Sequence, residues 1–278
     1  MPGLGEGVRQ QYLITRSLLT EYFPGASLEL VVTDCMDERR ETELRSRLAF
    51  LDHHRRLIGI IGSYHVVDVE LQNWLKERRI VLTDIGNPLS AHTLPGGGLK
   101  IPFRIGVDHL RDLGWKRIAC ATAAHVYPNE TPAAATRKLQ ARLIEGEEDV
   151  RLIPVHTPAH TSAQDHAREA VKTLIRHSDL PDAMLFINDY VYRGFSEGAY
   201  ECGIDLTANR ALAVYTSEGF RLHASRPVTR VERPLSRIAR EQFRVIRDVL
   251  RGLEDPKPRR IDPVLQPGQT SISPSAGR

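Results

Sequence analysis

Residues 102–122 read PFRIGVDHLRDLGWKRIACAT, and this stretch shows the pattern that decides the fold. From Pro102 to Leu113 the apolar side chains recur at helical spacing, so this part predicts a helix. From Lys116 to Thr122 a short apolar run follows, and a run of that length predicts a strand. The stretch is therefore predicted to form one helix and strand unit.

The same alternation extends through the rest of the chain. Before this stretch, the apolar pattern predicts helices at residues 8–23, 38–51 and 67–79 and strands at 27–33, 57–62 and 80–85. After a polar passage at 125–132, it predicts helices at 133–144, 162–177, 192–202 and 235–253 and strands at 150–155, 183–187, 210–214 and 261–265. Strands that alternate with helices form parallel β-α-β units, so the sequence predicts an α/β fold with two doubly wound parallel sheets.

The composition excludes several classes of protein. Apolar residues at 41% and charged residues at 26% of the 278 residues are ordinary for a soluble globular chain. The net charge is only +3 and the basic residues are scattered, which is no signature of a polyanion-binding protein. The three cysteines are far apart and suit reduced buried thiols, which favours the cytoplasm.

Neither secretion nor membrane insertion is expected from the sequence. The chain starts with MPGLGEG, which has neither the cationic start nor the apolar segment of a signal peptide. No later apolar run approaches the roughly 20 residues that a membrane-spanning helix requires.

A hydrolase motif occurs at Gly194-Phe-Ser196-Glu-Gly198, which matches G-x-S-x-G and precedes Asp205 and His223 in the order of a catalytic triad. A nucleophilic serine of this type must stand on a tight turn directly after a strand. Ser196 instead lies well inside a predicted helix, so we expect no enzyme activity. On the helical interpretation, Gly194 and Gly198 lie four residues apart and permit close packing.

No metal or cofactor is predicted. The adjacent residues His53 and His54 would point to different sides of a helix, and no i, i+4 histidine pair with a carboxylate completes a ligand set. The glycines from Gly96 to Gly98 lack the Lys-Ser/Thr sequence of a phosphate-binding loop.

Polar residues directly follow four of the predicted strands. In open α/β sheets, ligands bind beyond the carboxyl ends of the strands, so such residues are candidates for binding. The four groups are Ser63-Tyr64-His65, Asn87, Asn188-Asp189-Tyr190 and Thr216-Ser217-Glu218. Each group has an alternative role, because a strand end also needs polar side chains to turn the chain and to cap the next helix.

Several segments resemble one family of proteins. Residues 106–119, GVDHLRDLGWKRIA, resemble the hLxxLGhrrIa signature of the effector-binding domain of lactose-repressor/galactose-repressor (LacI/GalR) transcriptional regulators. Residues 181–189, PDAMLFIND, resemble that family's PDAifaxND strand, and residues 228–252 and 261–271 are similar to its last long helix and closing strand. The segments follow the family's order over residues 7–272. The resemblance implies a type I periplasmic-binding-protein-like core, whose two lobes close over a small effector.

The resemblance also assigns an effector site. The family's effector-contacting arginine falls on Arg137, although Gln140 stands where the family has glycine. The family's Asn-Asp pair falls on Asn188 and Asp189. Its strand-end aspartate falls on Thr216, where a neutral hydroxyl replaces an anionic acceptor, and this counts against a typical sugar as the ligand. The complete predicted site is Tyr64, Arg137, Asn188, Asp189, Thr216 and Ser217.

Domain organisation and function follow from the same resemblance. One lobe would comprise residues 1–123 and 231–253, and the other lobe 124–230 and 254–278. The implied function is that of the small-molecule sensor of a cytoplasmic DNA-binding regulator such as a repressor, which forms a homodimer and binds a sugar or a related metabolite. The alternative is a freestanding or exported-type solute-binding protein, because such receptors share the two-lobed fold.

Two parts of such a regulator are expected to be missing from the chain. No helix-turn-helix candidate precedes Gln10, so DNA would be bound only through a domain outside this chain. The segment before Gly7 is too short and too rich in Gly and Pro for a buried parallel strand. We therefore expect the first strand of the N-terminal lobe to be absent, which would leave the strands at 27–33 and 57–62 without a neighbour.

Overall fold

The computed structural model describes residues 6–29, 38–54, 56–62, 69–85, 92–94, 98–127, 129–158, 161–208, 210–254 and 256–274. By its internal contacts the chain divides into two compact units. The first unit comprises residues 1–98 and 234–262, and the second comprises residues 99–233 and 263–278. None of the helices in the described ranges combines the length and the apolar character that crossing a bilayer requires.

The first unit contains a small parallel sheet and four helices within its described residues. The strands are β1 (Ile60–Ile61), β2 (Leu82–Ile85) and β3 (His92–Leu94), which pair in the order β1-β2-β3. The helices are α1 (Glu6–Tyr22), α2 (Glu38–His53), α3 (Val69–Glu77) and α8 (Leu235–Leu250).

Apolar contacts hold α8 against the sheet and against α1. Val245 and Ile246 are buried in one cluster with Val81, which directly precedes β2. On α8, the ring of Phe243 stacks on the ring of Tyr22 with 5.5 Å between the centroids. The predicted long amphipathic helix is confirmed, and its apolar face forms much of the core of the first unit.

The second unit contains a larger sheet with helices on both faces. Its strands are β4 (Ile118–Val126), β5 (Val150–Pro158), β6 (Ala183–Phe186), β7 (Ala211–Ser217), β8 (Thr229–Arg233) and β9 (Val264–Gln266). Its helices are α4 (Lys100–Asp112), α5 (Pro132–Leu139), α6 (Ala163–Arg176) and α7 (Asp189–Glu201), and a π-helical turn at Gln140–Ile144 continues α5.

The strand order of this sheet is β5-β4-β6-β7-β8-β9, and every pair is parallel except the antiparallel pair β8 and β9. The first five strands therefore have the 2-1-3-4-5 order of a doubly wound fold. Successive side chains point to opposite faces of a strand. Ala121 and Phe186 pack with α6 and α7, whereas Cys120 and Leu185 pack with α4. The predicted doubly wound α/β architecture is confirmed here.

Most predicted helices and strands are present, with shifted ends. β4 and β5 extend beyond the predicted ends at residues 122 and 155, and β3 and β8 were not predicted by the apolar pattern. The predicted strand at 27–33 runs into residues 30–37, which lie outside the described residues. The absence of a first strand stays a prediction.

The division of the chain differs from the predicted lobes. α4 and β4 belong to the second unit, because β4 pairs with both β5 and β6 inside that sheet. The boundary expected after residue 123 therefore lies after Gly98, and the later boundaries lie after Arg233 and Asp262 rather than after 230 and 253. The alternation of helices and strands along the sequence does not determine which sheet a strand joins, and the two divisions differ for this reason.

The contact between α6 and α7 confirms the close packing predicted for the glycines of the G-x-S-x-G segment. A Cβ atom at Gly194 would overlap with the backbone oxygen of Gln164 and lie 2.7 Å from the Cβ atom of Ala167. A Cβ atom at Gly198 would overlap with the backbone oxygen of Arg168. These two positions require glycine because the helix backbones touch there.

Candidate functional site

The carboxyl ends of the parallel strands in the second unit provide the candidate site. β4 and β6 are neighbours in the sheet although β5 lies between them in the sequence, so the strand order reverses at this pair. Ligands of open α/β sheets bind outside the strand ends at such a reversal. Asn188 and Asp189 follow β6 after one intervening residue, Ile187, and Thr216 and Ser217 are the last residues of the next strand, β7.

Asn188 is the N-cap of α7. It has an extended backbone (φ −151°), and its side-chain oxygen accepts hydrogen bonds from the backbone N–H groups of Tyr190 (2.8 Å) and Val191 (3.3 Å). These bonds satisfy two of the N–H groups that the first turn of a helix leaves without a partner. The side-chain NH₂ group has no partner within the described part of the chain, so its two donors are available to a ligand.

Replacing Asn188 by alanine should lower the free energy of unfolding by about 1 kcal/mol, because loss of an N-cap side chain typically costs this much. Asn188→Asp should keep most of the stability, since a carboxylate oxygen also accepts at the N-cap and suits the positive end of the helix dipole. Urea unfolding followed by circular dichroism gives both values. Equal losses in the two variants would show that the side-chain oxygen does not cap α7.

Asp189 and Thr216 are joined by a hydrogen bond. The hydroxyl of Thr216 donates to a carboxylate oxygen of Asp189 at 3.4 Å, and the backbone N–H of Tyr190 donates to the other oxygen at 2.9 Å. Thr216 is buried. Burial raises the pKa of Asp189 to about 6, partly opposed by the N–H of Tyr190 and by the positive charge of Arg193. The site therefore holds a carboxyl group that changes charge in the weakly acidic range.

The raised pKa of Asp189 predicts a specific pH dependence of stability. The folded state binds the proton more tightly than the unfolded chain, whose pKa is near the ordinary 3.8, so ionisation of Asp189 destabilises the fold as the pH rises from 4 to about 6. The effect should be on the order of 2 kcal/mol. Asp189→Asn should remove this part of the pH dependence.

Urea unfolding of the wild type and of Asp189→Asn at several pH values between 4 and 7 measures this effect. The difference in free energy between the two proteins should change across that range and level off above the pKa of Asp189. Asp165→Asn, at an exposed position in the first turn of α6, is the control and should follow the wild type. A constant difference between wild type and Asp189→Asn would contradict the prediction.

An aromatic and cationic cluster supports the first turn of α7. The ring of Tyr190 meets the buried ring of Phe220 edge-on, with 6.2 Å between the centroids. The guanidinium of Arg193 lies 4.3 Å from the centroid of Phe220 and donates to the backbone oxygen of Arg221 at 3.1 Å. Sequence reasoning missed Arg193 and Phe220. Arg193 follows Asp189 by four residues, and Phe220 follows Thr216 by four residues. This closeness to predicted site residues is the sequence signal that indicates them.

Arg137 lies on α5, the helix that follows β4. Its side chain is exposed and has no hydrogen-bond or ion-pair partner within the described ranges.

Thr131 caps α5 through a hydrogen bond from the backbone N–H of Ala134 at 3.2 Å. Gln140 begins the π-helical turn. The residue that departs from the family's glycine therefore stands where the helix changes its geometry, and such turns often occur at functional sites.

The predicted site residues thus fall into three groups. Asn188, Asp189, Thr216 and Ser217 come together at the ends of β6 and β7. Arg137 stands on the helix after β4, and its contribution to the site stays a prediction. Tyr64 lies outside the described residues.

The geometry around Ser196 does not provide a nucleophile elbow. Ser196 lies in the middle of α7, eight residues after Asn188. The carboxylate of Asp205 accepts hydrogen bonds from the hydroxyls of Thr207 (2.7 Å) and Ser225, and these bonds hold two loop segments together. Within the described residues, no group of three His, Cys, Asp or Glu side chains is arranged to hold a metal ion.

Comparison with known proteins identifies the family. Residues 107–271, more than half of the chain, match the family model of the periplasmic binding protein-like domain. The chain belongs to this family. This match confirms the periplasmic-binding-protein-like domain that the sequence resemblance implied. A comparison with curated protein sequences gave no significant match.

Solved structures share the fold of this periplasmic binding protein-like chain. A LacI family transcriptional regulator from Bifidobacterium animalis subsp. lactis DSM 10140 aligns with a TM-score of 0.70 and 15% identity over 96% of this chain and 95% of that one. A LacI family regulator from Enterococcus faecium, with bound ribose, aligns with a TM-score of 0.67 and 15% identity over 99% and 97%. The lac repressor dimer bound to operator and the anti-inducer ONPF aligns with a TM-score of 0.68 and 16% identity over 97% and 78%.

Proposed function

We propose that this protein is the small-molecule-sensing part of a transcriptional regulator and that its effector binds at the ends of β6 and β7. The observation that carries the proposal is the arrangement around the start of α7. There Asn188 uses its oxygen to cap the helix and keeps its NH₂ donors for a ligand, directly beside the hydrogen-bonded pair Asp189 and Thr216.

The chemistry of this arrangement suits a hydroxylated effector such as a sugar or a related metabolite. Asn188 offers two donors, and the carboxyl of Asp189 accepts when ionised and donates when protonated. Arg137 would add a planar fork of donors and Ser217 a further hydroxyl. The bound ribose of the Enterococcus faecium regulator supports a sugar as the first class of ligand to test.

The regulatory part of the proposal rests on the shared fold. The lac repressor of similar fold is a dimer bound to operator DNA. We propose that the present protein also acts as a cytoplasmic homodimer of the repressor type, and that an accompanying DNA-reading domain contacts the operator. In this arrangement the sensing domain alters DNA binding and performs no catalysis.

A thermal-shift screen tests the proposed function. The purified chain is melted with neutral pentoses and hexoses including ribose, with sugar acids, and with nucleobases. Because a ligand that binds only the folded state raises the melting temperature, at least one hydroxylated compound should stabilise the protein. Stabilisation by nucleobases alone would assign a different ligand class, and a screen without any stabilising compound would count against an effector site.

A further inference from the structure

We propose that the outer face of α8 and the segment that follows it form a docking strip for the phosphate backbone of duplex DNA. The strip consists of four exposed basic residues of the first unit, and it is called the basic strip below. Its members are Arg237, Arg251, Lys257 and Arg259. This proposal goes beyond effector sensing, because it gives the sensing chain its own contact with nucleic acid.

The distribution of charge within the first unit singles out this region. Residues 234–262 contain eight Lys and Arg against five Asp and Glu, whereas residues 1–98 contain eleven Lys and Arg against thirteen Asp and Glu. The excess of positive charge in this unit therefore resides in one continuous segment. The net charge of the whole chain, only +3, hides this local separation.

Two acidic residues of the segment, Glu241 and Asp248, form internal hydrogen bonds and therefore do not neutralise the charge of the basic strip. Glu241 is buried and accepts hydrogen bonds from Arg244 at 2.6 and 3.0 Å and from the backbone N–H of Arg259 at 2.7 Å. The half-buried Asp248 accepts from Arg244 at 2.6 Å. Arg237, Arg251 and the side chain of Arg259 have no acidic partner within the described part of the chain.

The same contacts fix the geometry of the basic strip. Arg244 donates to the backbone oxygen of Lys257 at 2.9 Å, and Ile261 packs on Ile238 of α8. The segment 256–262 therefore runs back along α8, with Lys257 and Arg259 beside the middle of the helix. Arg237 lies in the first turn of α8 and Arg251, fourteen residues later, is its C-cap residue, which corresponds to about 21 Å at 1.5 Å per residue.

An elongated array of cations of this length fits a duplex. DNA carries one negative charge per roughly 1.7 Å of helix axis, so about 21 Å of duplex presents more phosphates than the strip has cations. Arginine binds phosphate oxygens through two parallel N–H groups. Glu254 and the apolar side chains of Leu250 and Leu253 are exposed at one end of the array. Because Leu250 and Leu253 are the only large exposed apolar side chains among the described residues of this segment, we favour DNA over an acidic protein.

Binding of a fluorescent duplex of arbitrary sequence and about 20 base pairs to the full chain, measured by anisotropy between about 50 and 200 mM salt, tests the proposal. The test variant combines Arg237→Gln, Arg251→Gln and Arg259→Gln. The control variant combines Arg104→Gln, Arg117→Gln and Arg142→Gln, which are exposed arginines of the second unit. All six positions are exposed, so both variants should keep the wild-type melting temperature.

The wild type and the control should bind the duplex with a steep dependence on salt. In the test variant, the slope of log affinity against log salt should fall by about 3, since each phosphate contact contributes about 0.9. Equal slopes in all three proteins, or no binding of the wild type at the lowest salt, would overturn the proposal. Binding of polyglutamate but not of DNA, lost in the test variant, would assign the strip to an acidic protein instead. The effector screen does not depend on any of these results.

Discussion

Gly194→Ala is expected to destabilise the second unit by about 3 kcal/mol or more, a cost at the upper end for overpacking because the new methyl group meets backbone atoms. Its Cβ atom would overlap with the backbone oxygen of Gln164 on α6, so the two helices would have to separate. Alanine in place of glycine inside a helix otherwise stabilises by about 1 kcal/mol. Whether Gly194→Ala lowers or raises the free energy of unfolding therefore by itself tests the contact between α6 and α7.

Urea unfolding followed by the fluorescence of Trp115 measures the stability of the second unit. The measurement uses a chain with Trp74→Phe, because Trp74 of the first unit is the other tryptophan. Gly98→Ala is the control, since a Cβ atom there meets nothing within 4 Å. A Gly194→Ala variant as stable as Gly98→Ala would mean that α6 and α7 do not pack as described.

Arg137→Ala should weaken binding of the effector by about 10- to 100-fold, or roughly 1.5 to 3 kcal/mol, which is the usual contribution of a hydrogen bond to a charged group. Because Arg137 is exposed and has no partner within the described ranges, its loss should leave the stability of the free protein nearly unchanged. Titration calorimetry with a compound from the thermal-shift screen gives the affinity.

Arg142→Ala is the matched control for this measurement, because Arg142 is also exposed and lies five residues further along the same helical segment. Its affinity should equal that of the wild type. If Arg137→Ala and Arg142→Ala bind the compound equally well, Arg137 does not belong to the effector site, and Asn188 and Asp189 remain as its polar core.

The architecture of the second unit could be predicted from the sequence because its signals are local. Strands such as 183–187 are short apolar runs between helices, and a parallel sheet covered on both faces produces this pattern. The spacing of Gly194 and Gly198 likewise indicated a close helix contact, which the structure confirms. Polar residues after apolar runs also predicted that Asn188 and Thr216 lie near strand ends, and the structure confirms these positions.

The remaining features depend on contacts between residues far apart in the chain. The hydrogen bond between Asp189 and Thr216 and the position of Arg193 over Phe220 each join α7 to the region of β7, and no local pattern encodes them. The burial that raises the pKa of Asp189 is also a property of the folded state. The unit to which β4 belongs also depends on such contacts, because the alternation of helices and strands does not determine the order of strands in a sheet.

The most direct test of the effector site is amide hydrogen exchange of the full chain with and without the sugar that gives the largest thermal shift. Exchange should slow at residues 188–193 and 215–220, which form the start of α7 and the end of β7 with the turn that follows. It should not change at residues 109–116, which precede the opposite end of β4. Protection confined to 109–116, or no change at 188–193, would contradict an effector site at the carboxyl ends of the strands.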